Sequence, residues 1–116
     1  MFLFYLMQLL QRLCYSPDKA DKIFKSGIVD AIISVTTNKK FPGNVLAEWF
    51  ALVTKLTNSE DVSKYLVQDK NICPDIIKAI YRYMKLRKSF VVKLLSMGAM
   101  TFGNFCAVFT NAEFLK

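Results

Sequence analysis

Lys78, Arg82, Lys85, Arg87, Lys88 and Lys93 follow one another with no acid between them, and they carry most of the chain's formal net charge of +7. At helical spacing Lys78, Arg82 and Lys85 stand at i, i+4 and i+7 and share one face, away from Ile76, Ile80 and Met84. Tyr81 and Tyr83 lie beside them. Such a strip can meet an acidic protein tail, an acidic helix or a phosphate-rich surface such as a phosphoinositide membrane. No base-reading module accompanies it, which disfavours nucleic acid. The same residues also make an ordinary solvated face that keeps an apolar chain in solution.

Little else in the sequence could do covalent chemistry. None of the 116 residues is histidine, which removes Ser-His-Asp and Cys-His catalysis, the common zinc sites and a titrating switch near neutral pH. Gly98 and Gly103 have the spacing of a phosphate loop's glycines, but Asn104-Phe105 follows where Lys-Ser/Thr is needed. Asp18/Asp21 and Glu60/Asp61 fall at helix starts, where the positive end of the dipole accounts for them. Cys14, Cys73 and Cys106 are odd in number, far apart and set among apolar residues, as expected of buried, reduced thiols in a cytoplasmic protein. The expectation is a protein with no catalytic residues, metal or cofactor, working by contact with a protein partner.

A chain of this length makes one domain. Hydrophobic residues at 53% can fill a core, and 4 glycines with 3 prolines exclude collagen-like and low-complexity classes. Phe2–Leu10 is too short to span a bilayer and has no basic lead-in or small-residue cleavage site. Phe90–Phe109 is interrupted by Lys93, Ser96, Thr101 and Asn104, so its unbroken apolar run falls short of the roughly 20 residues a spanning helix needs. No transmembrane segment is expected, and a cytoplasmic location, the cytoskeleton included, follows from these readings.

Apolar spacing then places the helices. Leu3, Leu6, Leu9/Leu10 and Leu13 recur at three- and four-residue steps and predict a first helix. Ser16-Pro17-Asp18 restarts the chain, with Ser16 as N-cap, Pro17 at the first position and Asp18 at the positive end of the dipole. That helix runs to Lys25 and stops at Ser26-Gly27, where glycine can take the left-handed cap. Ile28 to Val35 steps at three and four rather than two, so it reads as helix despite its β-branched content. Thr36 to Gly43 reads as a loop, and Asn44 as the cap of a longer helix burying Leu46, Trp49/Phe50, Val53 and Leu56. Asn58-Ser59-Glu60-Asp61 restarts a short helix with Val62, Tyr65 and Leu66, followed by a link at Gln68–Asn71. Pro74 opens a helix over Asp75–Leu86, and Arg87-Lys88-Ser89 breaks it. A long helix then covers about Phe90–Phe109, with Gly98 and Gly103 as its weak points. No segment alternates at period two, so the fold class is all-α.

Internal repetition orders these helices. Leu13-Cys14-Tyr15-Ser16-Pro17-Asp18 holds the same place as Leu56-Thr57-Asn58-Ser59-Glu60-Asp61, 43 residues on. Phe109-Thr110-Asn111-Ala112-Glu113 opens a third copy after a further 53. The divisions are 1–15 (partial), 16–57, 58–109 and 110–116. This short–medium–long cycle closes its long helices with Leu10/Leu13 and Val53/Leu56 and carries Ile-x-x-x-Gly-Ile at Ile23–Ile28. It resembles the armadillo repeat family. The resemblance implies a right-handed α-solenoid, two to three repeats of a longer array, acting as a non-catalytic interaction scaffold. Two features depart from the family: Asp69-Lys70-Asn71 stands in place of a glycine turn, and the last helix is longer.

In that family the third helix of each repeat lines a groove, and an asparagine just before its last apolar residue clamps an extended peptide. The matching positions are Arg12, Lys55 and Val108, so the resemblance implies no asparagine ladder here. Gln8, Arg12 and Lys55 would instead offer polar and cationic groups to an acidic partner, although the helix dipole also accounts for charges at these ends. Trp49, Phe50 and the series Phe90, Phe102, Phe105 and Phe109 are expected in the core. A solenoid segment without polar end caps is expected to expose Leu3, Leu6 and Leu10 at one end and Phe102, Phe105 and Phe109 at the other. Self-stacking or further repeats would cover them.

Overall fold

The computed structural model describes residues 2–38 and 42–109, and among these it contains helices and no strand. The order is α1 (Phe2–Leu13), α2 (Pro17–Lys25), α3 (Ile28–Asn38), α4 (Gly43–Leu56), α5 (Glu60–Lys64), a π-helical turn (Tyr65–Asp69), α6 (Cys73–Tyr83) and α7 (Ser89–Phe109). The all-α class is therefore observed.

The two restarts form as their side chains dictate. Ser16 sits extended before α2 and accepts the Lys19 N–H at 3.3 Å, with Pro17 entering the first turn. Gly27 closes that helix at φ +87, a conformation that costs a residue without Cβ nothing. Ser59 repeats the device on α5, accepting the Val62 N–H at 3.4 Å while its hydroxyl donates to the Asp21 carboxylate on α2. Where the second cycle lacks a glycine, Asn71 takes φ +49 instead. Asparagine tolerates this region better than other side chains, so the turn is made by the next-best residue.

Several boundaries differ from the sequence reading. Thr36 to Asn38 continue α3 rather than opening a loop, and α4 begins at Gly43. Asn44 is not its cap: Pro42 holds the N-cap position with φ −56 and its carbonyl accepts the Leu46 N–H at 2.9 Å. Part of the expected link, Gln68 and Asp69, belongs to the π-helical turn. α6 spans Cys73–Tyr83 rather than Asp75–Leu86, because Pro74 is accommodated inside the first turn, where no N–H is needed. The third restart, Thr110–Glu113, lies outside the described residues.

α4 is the centre of the molecule. It packs along α7 on one flank and α1 on the other, with α2 beneath. Ala47 to Thr54 are all buried, as are Val45 and Leu56, so both Trp49 and Phe50 are core residues as expected. A helix buried on nearly all sides no longer shows a single stripe, which is why spacing marked only part of its buried surface. By length and apolar composition Ser89–Val108 of α7 is also sufficient to cross a membrane. Only 28% of its most apolar stretch is buried within the fold, with Val91, Leu94, Thr101 and Phe105 inside and Val92 and Met100 exposed.

The expected apolar ends are corrected by this packing. Leu10 and Phe105 are buried, while Leu3, Leu6 and Phe102 are half-buried and pack against the core; the Phe109 side chain lies outside the described residues. The exposed side of α1 is instead the stripe Phe2, Tyr5, Leu9 and Leu13. The two glycines of α7 differ in surroundings. A Cβ at Gly98 would come within 2.8 Å of the Ile80 Cδ1 tip and 3.6 Å of the Phe50 ring, whereas Gly103 faces open space. Gly98→Leu is therefore expected to lower stability by about 1–3 kcal/mol through overpacking. Gly103→Ala should raise it by about 0.5–1 kcal/mol through helix propensity. Urea denaturation of both variants checks the contrast, and equal effects at the two sites would contradict it.

Candidate functional site

A buried carboxylate organises the surface where α1, α4 and α7 meet. Glu48 on α4 is only 4% exposed. Lys93 Nζ from α7 reaches its Oε1 at 2.5 Å, and Gln11 Nε2 from α1 donates to its Oε2 at 2.7 Å and to its backbone carbonyl at 3.1 Å. Burial by itself would push this carboxyl up. The hydrogen bond from Lys93 outweighs that together with those from Gln11 and Gln8 and the Lys93 charge, and they hold it below its ordinary value of 4.5.

A second polar seam continues along α4 and α7. The Thr54 and Thr101 hydroxyls lie 2.9 Å apart, and Thr101 is also 2.9 Å from its own Met97 carbonyl. Asn104 Nδ2 donates to the Thr54 carbonyl at 3.0 Å and to Thr57 Oγ1 at 2.9 Å. On the other flank Lys55 Nζ donates to the Gln11 carbonyl at 3.1 Å. Between these seams lies an open depression of about 310 Å³, lined by Gln11, Ala51, Thr54, Lys55, Asn58, Lys93, Met97, Met100 and Asn104. Ala51, Met97 and Met100 give it apolar surface, and Gln11, Lys55, Asn58, Lys93 and Asn104 bring amide and ammonium groups to it. That combination suits an extended segment with carboxylates and small apolar side chains.

Of the residues singled out in the sequence, Gln8 and Lys55 lie along the α1–α4 seam. Gln8 supports Glu48, and Lys55 bridges the two helices while remaining exposed. Arg12 is exposed at the end of α1. The basic strip is elsewhere: Lys78, Arg82, Lys85, Arg87 and Lys88 are exposed on α6 and the turn after it, and none lines the depression. Two members of the strip's expected geometry are corrected. Lys93 leaves it to pair with Glu48, and Met84, placed on the apolar side by spacing, is 49% exposed because α6 ends at Tyr83.

Gln11, Glu48, Met97 and Asn104 were not marked as partner-binding residues. The one available signal was Glu48 itself, a lone acid inside an apolar helix, which is costly to bury unless paired. The thiols form no disulfide, and their burial meets expectation only at Cys14. Cys14 is buried, Cys73 half-buried and Cys106 exposed on the outer side of α7. Burial raises the Cys14 thiol, with Lys55 partly opposing, and raises Cys73, with Cys106 adding to it. Among the described residues no cluster of three or more His, Cys, Asp or Glu could hold a metal ion.

The depressed Glu48 carboxyl has a pH consequence. Its stabilisation is fully present above the unfolded-state value near 4.5 and is lost as pH falls through the lower folded value. Glu48→Gln should cost about 1–2 kcal/mol at neutral pH, moderated because Lys93 is 42% exposed at its side chain, and should flatten the loss of stability on acidification. Denaturation midpoints at neutral and acidic pH test this; parallel pH profiles for the two proteins would contradict it. Compared with protein-family models, curated proteins and solved structures, the chain matches none, so its function is read from this geometry.

Proposed function

We propose that this chain is a non-catalytic scaffold for protein–protein contact, a short right-handed α-solenoid of armadillo-like repeats. In this reading the seam along α1, α4 and α7 receives an extended acidic segment of a partner. The observation that supports the reading is the row itself, in which α4 lies between α1 and α7.

At the steps of 43 and 53 residues set by Leu13, Leu56 and Phe109, Leu52 corresponds to Leu9 and to Phe105. Leu52 is 0% exposed and Phe105 4%, each packed inside the fold, while Leu9 at the outer edge of α1 is 54% exposed. Glu48, Thr101 and Tyr5 follow the same rule, the first two buried and the third exposed. Side chains that are buried within the row and exposed at its edge are what stacked repeats produce, since each repeat relies on its neighbour for cover. α1 thus offers the next place in the row to a further helix of the same kind, from a second copy or from further repeats.

The depression supplies the chemistry of the partner. Lys55 and Asn58 are exposed on its rim, and Met97 and Met100 provide apolar contact. Short fluorescent peptides of acidic-and-aliphatic, neutral and basic composition test the reading by anisotropy. The acidic set is expected to bind selectively, and Lys55→Glu should weaken it about tenfold, or about 1.4 kcal/mol, with helical content unchanged. Equal binding of all three sets, no binding by any, or indifference to Lys55→Glu would sink the reading.

A further inference from the structure

α6 buries Ile76 and partly buries Ala79 and Ile80 on its inner side, packing mainly on α7, and turns the rest outward. On that outward side Ile77 is 57% exposed and Tyr81 72%, and Met84, at the C-cap just past the helix, is 49% exposed. They recur at steps of four and three, so they form a stripe, and Leu86 in the following turn extends it. Lys78, Arg82 and Lys85 each follow one of these apolar residues and run alongside them. Among the described residues the ion pairs are Lys64–Glu60 and Lys93–Glu48, so these three cations are not neutralised by one.

A face that only kept the chain in solution would have no use for large apolar tips among its lysines. Isolated exposed apolar side chains are common, but a stripe ringed by unpaired cations marks an interaction surface. An acidic peptide would pair with the cations but leave the apolar tips without a partner, and none of these residues lines the depression. Single-stranded nucleic acid needs successive aromatic platforms, and Tyr81 is the aromatic residue of this stripe. An anionic bilayer asks for both features at once: apolar tips that enter the headgroup–acyl boundary and cations at the level of the lipid charges.

We infer that the outward face of α6 docks on an anionic lipid surface, with Ile77, Tyr81 and Met84 entering the interface and Lys78, Arg82 and Lys85 meeting the headgroup anions. This site is independent of the groove and of the repeat reading. It lies along the surface and requires no helix to cross the membrane.

Co-sedimentation of the full chain with phosphatidylcholine vesicles, with and without phosphatidylserine, tests it at low and high salt. Binding is expected on the serine-containing vesicles, and it should fall as salt rises. Each cation near such a surface is worth about fivefold, so Lys78→Glu with Arg82→Glu should weaken binding by about 25-fold or more. Ile77→Ser with Tyr81→Ser should weaken it about tenfold at both salt concentrations. All four side chains are exposed, and circular dichroism should be unchanged in both variants. Failure to bind anionic vesicles overturns the inference. So does equal binding to phosphatidylcholine alone, or binding that ignores both pairs, which would assign the contact to the apolar outer side of α7. Tighter binding to soluble polyglutamate or RNA, unaffected by the serine pair, would make the partner an acidic polymer and likewise overturn it.

Discussion

Burial of α4 on both flanks is the constraint from which the rest of the architecture follows. Leu52, Val53 and Leu56 are excluded from water, and their packing supplies the apolar burial that a small domain needs. A helix so enclosed cannot hydrate the polar groups it carries, and α4 carries Glu48 and Thr54, with Thr57 at its C-cap. Each must be satisfied from a neighbouring element or from the helix's own carbonyls. Gln11 and Lys93 meet Glu48, Thr101 and Asn104 meet Thr54, and Asn104 also meets Thr57. The polar lining of the groove is therefore a product of packing. It also ties α1 and α7 to α4 in a fixed register, since a slip of one residue would strand a buried carboxylate.

That same arrangement sorts the chain's charge into places of different use. Lys93 is consumed by Glu48, and Lys55 is engaged with the α1 carbonyl of Gln11. The cations of α6 have no such work. They line no part of the groove and stand beside apolar side chains that the fold leaves outside. Two surfaces of distinct chemistry result: a hydrogen-bonding seam in which Lys93 is paired with Glu48 and Lys55 is held on a carbonyl, and a basic face with apolar tips whose cations meet no acid among the described residues. Salt acts on them unequally, because exposed charges are screened within about 8–10 Å while partly buried pairs are screened much less.

The elements that join the cycles depend on small local devices. Ser16 and Ser59 cap by the same side-chain bond, and Asp21 links the second cap to the helix that follows the first. Tyr65, in the π-helical turn, donates to Asp30 at 2.6 Å and stacks edge-on against Phe24. That bond to Asp30, with burial adding to it, raises the tyrosine's pKa against the lowering effect of Lys70. These contacts bring the short helices under the long ones without needing a deep core of their own.

Local order was legible in the residues because its causes are local. Apolar steps of three and four, a serine before a proline, a glycine free to turn left-handed and the absence of period-two segments determined the helical class and most of its boundaries. The burial of Trp49 and Phe50 followed from the same spacing. Tertiary structure alone decided which helix would be enclosed on two sides, and so which polar side chains would meet. Periodicity reports one apolar stripe per helix, and it cannot tell a helix with one neighbour from a helix with two. Spacing alone therefore gives Glu48 no partner, puts Lys93 in a basic strip and makes Gly98 a weak point. Their partners lie 37 to 45 residues away for Glu48 and on a different helix for Gly98, beyond any local pattern. Exposure of Leu9 and Met84 was hidden for the same physical reason: whether an apolar residue is covered depends on what packs beside it.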